Sequence, residues 1–372
     1  LQVVKLPEGQ IGLIVGAFSV TALFARPFIG YLLDNYDKKL IFIISLGLFT
    51  AVIISYEFVG TLVLLLAVRM LQGGSWASVS TSASTMVVDI IPPRKRAEGI
   101  GMFSLTMPFA MVIGPAAGIQ MYTATGSFSF VFGVAAVICV IAFIMSFWLK
   151  MPPRGDVPRK KLVLAPTALY ETRALGIAFM QFCYSFAYSG IATFIPVYAL
   201  KNNIDNFSYF FLFYALSILV SRMLVRKTFD LRGPSRLIYM GYICFAIGGA
   251  IMGFTTSAGL LYLSGVFCGL GGGMVMPTIN TMTMNVVEQQ ARGKATATVM
   301  TAIDVGMGVG ALVLGYIAQH ISYPVMYFTV TASLVIPMLW YKFYERGHYL
   351  RNIDHLTEVL SGMGQQSPKQ EG

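Results

Sequence analysis

The chain has 372 residues, 56% hydrophobic and 11% charged, with a mean hydropathy of +0.71 and a formal net charge of +10. A soluble domain of this length has no use for so much apolar surface, so lipid is the solvent. Apolar runs of about 18 residues or more recur, which argues for helices, since a barrel would alternate over about ten residues. The positive charge excludes nucleic acid as a partner by where it sits. Arg26, Arg69 and Arg222 lie inside apolar spans, only Lys5 and Lys201 fall in one set of alternate loops, and every other Lys and Arg falls in the opposite set or the tail. That is the positive-inside pattern of a helical membrane protein with its C-terminus in the cytoplasm.

The opening LQVVKLPEGQ lacks the basic-then-apolar start of a cleaved signal, and none is expected. Apolar runs predict spans at residues 11–33, 40–58, 61–87, 99–122, 129–149, 174–199, 207–226, 236–255, 258–287, 294–318 and 324–344. The first ends in Gly30, Asp34, Asp37, Lys38 and Lys39, and the second follows from Leu40 with almost no gap. Two bilayer-length segments so joined lie antiparallel, with the charges at one surface. Arg26 sits ~12 Å from the inner end of its span, where snorkelling and pairing with another helix are both open to it.

The third span carries Arg69, followed by Gln72 and Gly73, and places Arg69 ~12 Å below the outer surface. An arginine so deep faces a cavity or a partner. Asp89 closes that span on the inner side, just before the basic run that contains Arg96. The fourth span contains Gly114, Pro115 and Gly118, with Met111 just before them. Proline kinks a helix and the small residues allow close approach of a neighbour. A Pro-rich basic segment, residues 150–161, follows the fifth span and reads as a surface linker. In the sixth, Gln181, Tyr184 and Tyr188 share one helix face, either lining a cavity or packing with satisfied hydroxyls. Asn280 follows the small-residue stretch GLGGGMVMP of the ninth; with Gln181, Tyr184, Tyr188 and Met111 it is a candidate substrate contact, and Arg69 is a candidate for proton coupling beside Asp304.

The chain also repeats itself. Arg26 and Arg222, Asp34 and Asp230, Arg96 and Arg292, and Gly114 and Gly310 are each separated by 196 positions. One structural unit is therefore expected twice. The four cysteines lie in apolar spans as small hydrophobes, and the three histidines show no metal-ligand spacing. No Gly-rich phosphate loop, nucleophile-base arrangement or cofactor motif is seen, so neither an enzyme nor an ATP-driven pump is expected.

Gly30-Tyr-Leu-Leu-Asp34 with Lys38-Lys39 resembles the loop signature after the second helix of the major facilitator superfamily. Asn35 and Asp37 replace that signature's usual Arg and Gly. Arg69-Met-Leu-Gln72-Gly73 is similar to the family's second motif, and Gly114-Pro115-Ala-Ala-Gly118 resembles the motif that marks antiporters within it. The resemblance implies an all-α membrane protein of two pseudo-symmetric six-helix bundles. It divides the chain into an N-terminal bundle (1–149), a cytoplasmic linker (150–173), a C-terminal bundle (174–346) and a tail (347–372). Eleven spans against the family's twelve imply that the first helix is absent and that residues 1–10 are the loop after it. The family also implies that Asp89 meets Lys38 or Lys39, and that Asp34 caps a helix across the two halves, together latching the cytoplasmic side.

By the same resemblance, the function is proton-coupled efflux of a small organic molecule by alternating access, carried out by a monomer in a cytoplasmic membrane. A proton-coupled importer, a narrow-range metabolite exporter and a non-transporting sensor are the alternatives. Asp304 carries the sharpest expectation. It lies ~15 Å inside its helix, near the middle of a ~30 Å hydrocarbon core, where an acid that alternates between charged and neutral could couple protons to transport. Two other readings stand beside it: permanent pairing with an arginine such as Arg69 or Arg222, and a site for a cationic substrate.

Overall fold

A computed structural model describes residues 8–92, scattered positions between 103 and 114, and residues 117–151, 170–287 and 292–352. Arg96, Met111 and Pro115 lie outside the described residues, as do the side chains of Asp34, Arg222 and Asp230. Among the described residues the regular structure is all helical: α1 (Glu8–Asn35), α2 (Lys38–Ser55), α3 (Leu62–Ile90), α4 (117–125), α5 (Phe128–Ser146), α6 (Leu175–Lys201), α7 (Tyr209–Arg232), α8 (Pro234–Gly253), α9 (Ala258–Asn285), α10 (Arg292–His320), α11 (Tyr323–Ser333) and α12 (Val335–Trp340). Among the described residues nine stretches are long and apolar enough to cross a membrane, and Tyr209–Ser221 is a shorter apolar helix. The span expected at 99–122 falls mostly outside the described residues.

Two boundaries differ from the sequence reading. α7 continues past residue 226 to Arg232, because the charged stretch after Ser221 holds no helix breaker before Gly233-Pro234. Gly233 turns the chain with φ +68°, a value only glycine adopts freely, and Pro234 opens α8 at a position where its missing N–H costs nothing. The last span also runs further than residue 344, through a π-helical turn at Tyr341–Glu345 and on to Asn352.

The 196-residue offset reappears in the helix starts. α2 begins at Lys38 and α8 at Pro234; α3 begins at Leu62 and α9 at Ala258. The capping residues repeat with them. The Thr61 hydroxyl accepts from the N–H of Leu64 and that of Ser257 from Leu260, while Ser127 and Ser322, one residue off that register, cap α5 and α11 in the same way. A side-chain oxygen at that position satisfies one of the orphan N–H groups of a first helical turn. Contacts between helices repeat as well. Gly73 of α3 lies against the backbone of Phe18 in α1, and Gly269 of α9 lies against that of Tyr214 in α7, each pair separated from its copy by the same 196 positions. With no Cβ at either glycine, the two backbones approach closely.

The first copy therefore packs α1 on α3 and α2 on α3 and α5, and the second packs α7 and α8 on α9 and α8 on α11. The main buried cluster lies in the second half, built on α6 and including Tyr184, Tyr214, Tyr242, Phe245 and Tyr327. α10 lies between α6 and α1. Its Gly306 and Gly310 face the backbone of Phe182 and Phe186 in α6, while Gly308 faces Ser19 in α1.

Candidate functional site at the seam between the bundles

α1 and α10 run antiparallel across the junction of the two copies, with Gly12 against Ala311, Ser19 against Gly308 and Arg26 against Asp304. Arg26 Nε donates to Asp304 Oδ2 at 2.7 Å, and both side chains are more than nine-tenths buried. Arg26 Nη1 also donates to Thr81 Oγ1 of α3 at 3.4 Å, so the cluster ties α1, α3 and α10 together. Arg26 lies ~14 Å from the end of α1 at Asn35 and Asp304 ~18 Å from the start of α10 at Arg292, well inside the apolar layer. Two hydroxyls near the pair in sequence, Ser82 and Thr301, are buried with no hydrogen-bond partner. Thr301 stands one turn from Asp304 on the same face of α10.

A cleft of about 370 Å³ reaches this region from the basic end of the helices, between Leu23 of α1, Phe179 and Phe182 of α6, and Thr301, Ala302 and Val305 of α10. Its walls come from both copies, which makes it a gap between bundles rather than within one. Among the described side chains the partner of Asp304 is thus Arg26 and not Arg69. Matched depth was the available signal: both residues sit some three turns from the basic end of their helices. What the sequence could not supply was which faces of α1 and α10 meet.

Arg69 occupies a separate site in the first copy. The Gln72 side-chain oxygen accepts from Arg69 Nη1 at 3.0 Å and from the Tyr56 hydroxyl at 2.7 Å, with the guanidinium 5.7 Å from the centre of the Tyr56 ring. Its Nε is buried without a partner. On the basic face Lys38 Nζ meets Asp89 Oδ2 at 2.5 Å, while Lys39 Nζ donates to the Phe147 carbonyl at 2.9 Å. The expected Lys38–Asp89 contact exists, yet both partners belong to the first copy, so it joins α2 to α3 and does not bridge the bundles. Adjacent antiparallel helices bring their own ends together, which suffices to make it.

Gln181, Tyr184 and Tyr188 lie inside the second copy, all buried, with Gln181 donating to the Ser185 hydroxyl at 3.2 Å and Tyr184 sharing a 3.4 Å hydroxyl contact with Tyr214. Asn280 is exposed on α9. Gly30 and Gly118 are half-buried and Gly114 exposed. Sequence reasoning missed Thr81, which steadies Arg26; as one of many hydroxyls in a Ser/Thr-rich helix it carried no distinguishing signal.

A buried ion pair between two copies of one helical unit, with a cleft opening near it, is the architecture of a polytopic membrane protein whose halves meet at a polar seam. Comparison with known proteins names the family. The model of the Major Facilitator Superfamily matches residues 2–258 and 177–361, and the chain belongs to that superfamily. It is 23% identical over 340 residues to the staphylopine export protein of Staphylococcus aureus, covering 88% of this chain and 85% of that one. It is 22% identical over 365 residues to a multi-drug resistance efflux pump PmrA homolog of Lactococcus lactis, covering 94% and 89%. Among solved structures, the nucleoside transporter NupG superposes with a TM-score of 0.71 at 13% identity, covering 92% of each chain. A bacterial homolog of the human lysosomal transporter Spinster gives 0.71 at 14%, covering 94% of this chain and 91% of the other. The protein is a multi-pass membrane transporter and not an enzyme.

Proposed function

We propose that this chain exports a small organic molecule in exchange for protons, with its basic face in the cytoplasm. The observation that carries the reading is the Arg26–Asp304 pair, buried in the membrane and shared between the two bundles. A buried carboxylate held by one arginine has two states. Charged, it binds Arg26 and holds α1 to α10; protonated, it loses most of that attraction, and the seam is free to part. The cleft past Thr301 supplies a route for a proton or substrate from the basic face to Asp304. Rocking of the bundles about a midplane site is how carriers built from repeats alternate access. The efflux proteins among its relatives favour export over import, and the positive-inside pattern favours the stated orientation.

The test is transport by the purified protein in liposomes, with and without an imposed pH gradient. Wild type should accumulate substrate against its gradient only when protons flow the other way. Asp304→Asn together with Arg26→Gln keeps a hydrogen bond at the seam without charge and strands neither partner. That variant should exchange substrate down its gradient but ignore the pH gradient. Accumulation at the wild-type rate by the double variant would remove Asp304 from coupling. Uptake in the opposite sense would make the protein an importer, and no movement with any substrate would favour a sensor.

A further inference from the structure

A second cleft, of about 360 Å³, opens at the basic end of the other side of α6, walled by Thr172, Leu175, Gly176, Phe179, Trp340 and Tyr344. Its aromatic rings form a continuous wall. The Phe179 and Trp340 centroids are 4.9 Å apart, those of Trp340 and Tyr344 4.6 Å, and His348 follows at 5.9 Å from Tyr344. Behind Gly176, in the space a side chain at that position would need, lies the carboxylate of Glu345.

Glu345 is fully buried, and neither of its oxygens has a hydrogen-bond partner; the Trp340 indole N–H is also buried and unpartnered. A bare carboxylate at such burial is costly unless it takes up a proton or a positive charge answers it, and a cation brought beside it favours the charged form. The two cations flanking it on the same stretch, Lys342 and Arg346, are exposed. Mg²⁺ and Ca²⁺ require several oxygen ligands, and a single carboxylate among rings does not provide them. An organic ammonium needs only aromatic faces and a counter-charge.

We propose that this cleft binds an alkylammonium group laid against the aromatic wall of Phe179, Trp340 and Tyr344, with Glu345 as its counter-charge behind Gly176. The same chemistry is presented by a soluble quaternary amine and by a choline or ethanolamine lipid headgroup. The site makes no use of the transport reading and is tested without a gradient.

The probe is radiolabelled tetramethylammonium, added at constant ionic strength to the full chain in phosphatidylglycerol-only nanodiscs. Wild type should bind it saturably. Glu345→Gln removes the charge at constant volume, should melt no lower than wild type, and should weaken binding by about tenfold or more, as should Trp340→Leu. Repeating the titration with phosphatidylcholine or phosphatidylethanolamine in the disc assigns the source. Suppressed binding identifies the headgroup as occupant, and unchanged binding identifies a soluble cation. Absence of saturable binding in wild type, or wild-type affinity in Glu345→Gln, overturns the proposal.

Discussion

The two copies of the repeat share helix starts, caps and the Gly73 and Gly269 contacts, yet they bury their helices very differently. Among the candidate spans α5 is the most apolar and none of its apolar window is buried, while its counterpart, the span from Tyr323 to Asn352, is one-third buried. α6 shows the reverse: the span that contains it is the least apolar of the nine and the most buried. Burial of a membrane helix is set by its protein neighbours, not by its own hydropathy, because lipid accepts an apolar face as readily as protein does. Polar groups such as Gln181 and Ser185 gather instead where other helices can satisfy them. In the second copy α6 supplies such neighbours, packing on α10, α11 and α12.

The comparison breaks most sharply at the one place where the copies depend on each other. Arg26→Leu alone leaves Asp304 as an uncompensated buried acid and should cost about 3–5 kcal/mol. Arg26→Leu with Asp304→Leu should return stability to within about 1 kcal/mol of wild type while transport stays lost. Thermal unfolding of the single and double variants in detergent reads the difference. Two equally destabilised variants would mean that the seam depends on packing and not on the pair.

A smaller effect tests how far the copies are equivalent. Gly73→Val and Gly269→Val both push a side chain into a facing backbone and should each cost about 1–3 kcal/mol. Gly74, one residue along, has nothing within 4 Å of where a Cβ would stand. Gly74→Ala should therefore be neutral or stabilise by up to about 1 kcal/mol through its better helix propensity. If Gly73→Val proved harmless while Gly269→Val was not, the pseudo-symmetry would hold in geometry but not in energy.

The smallest effect belongs to Lys38 and Asp89, whose side chains are 27% and 35% exposed. Lys38→Gln should change unfolding by no more than about 1 kcal/mol, and by less as salt is raised. A large, salt-independent loss would show that this contact governs more than the joint between α2 and α3.

Some of this was legible in the sequence for definite physical reasons. The 196-residue repeat could be read from Arg26, Asp34 and Gly114 because a duplicated fold keeps charges and small residues where membrane depth demands them. Asp304 stood out because an acid inside an apolar run has few innocuous explanations. Its partner did not, since the pairing of Arg26 with Asp304 joins residues 278 positions apart and depends on how α1 rotates against α10. The full length of α7 was hidden because charged residues end a hydrophobic run without ending a helix. Glu345 was hidden for the same reason: it follows the last apolar run, and only the π-helical turn brings it back under α6.

The small-residue contact of Ser19 with Gly308 has a mechanical consequence. Two such groups touching give no interlocking ridges, so the point behaves as a pivot. Arg26 lies two helical turns further along α1, a lever arm of ~10 Å at ~1.5 Å per residue. A tilt of α1 by only ~10° about that pivot moves Arg26 by ~2 Å, enough to carry a hydrogen bond out of range. Such a tilt would lengthen the charge contact while leaving Ser19 against Gly308, and the Gly306 and Gly310 contacts would leave α10 on α6.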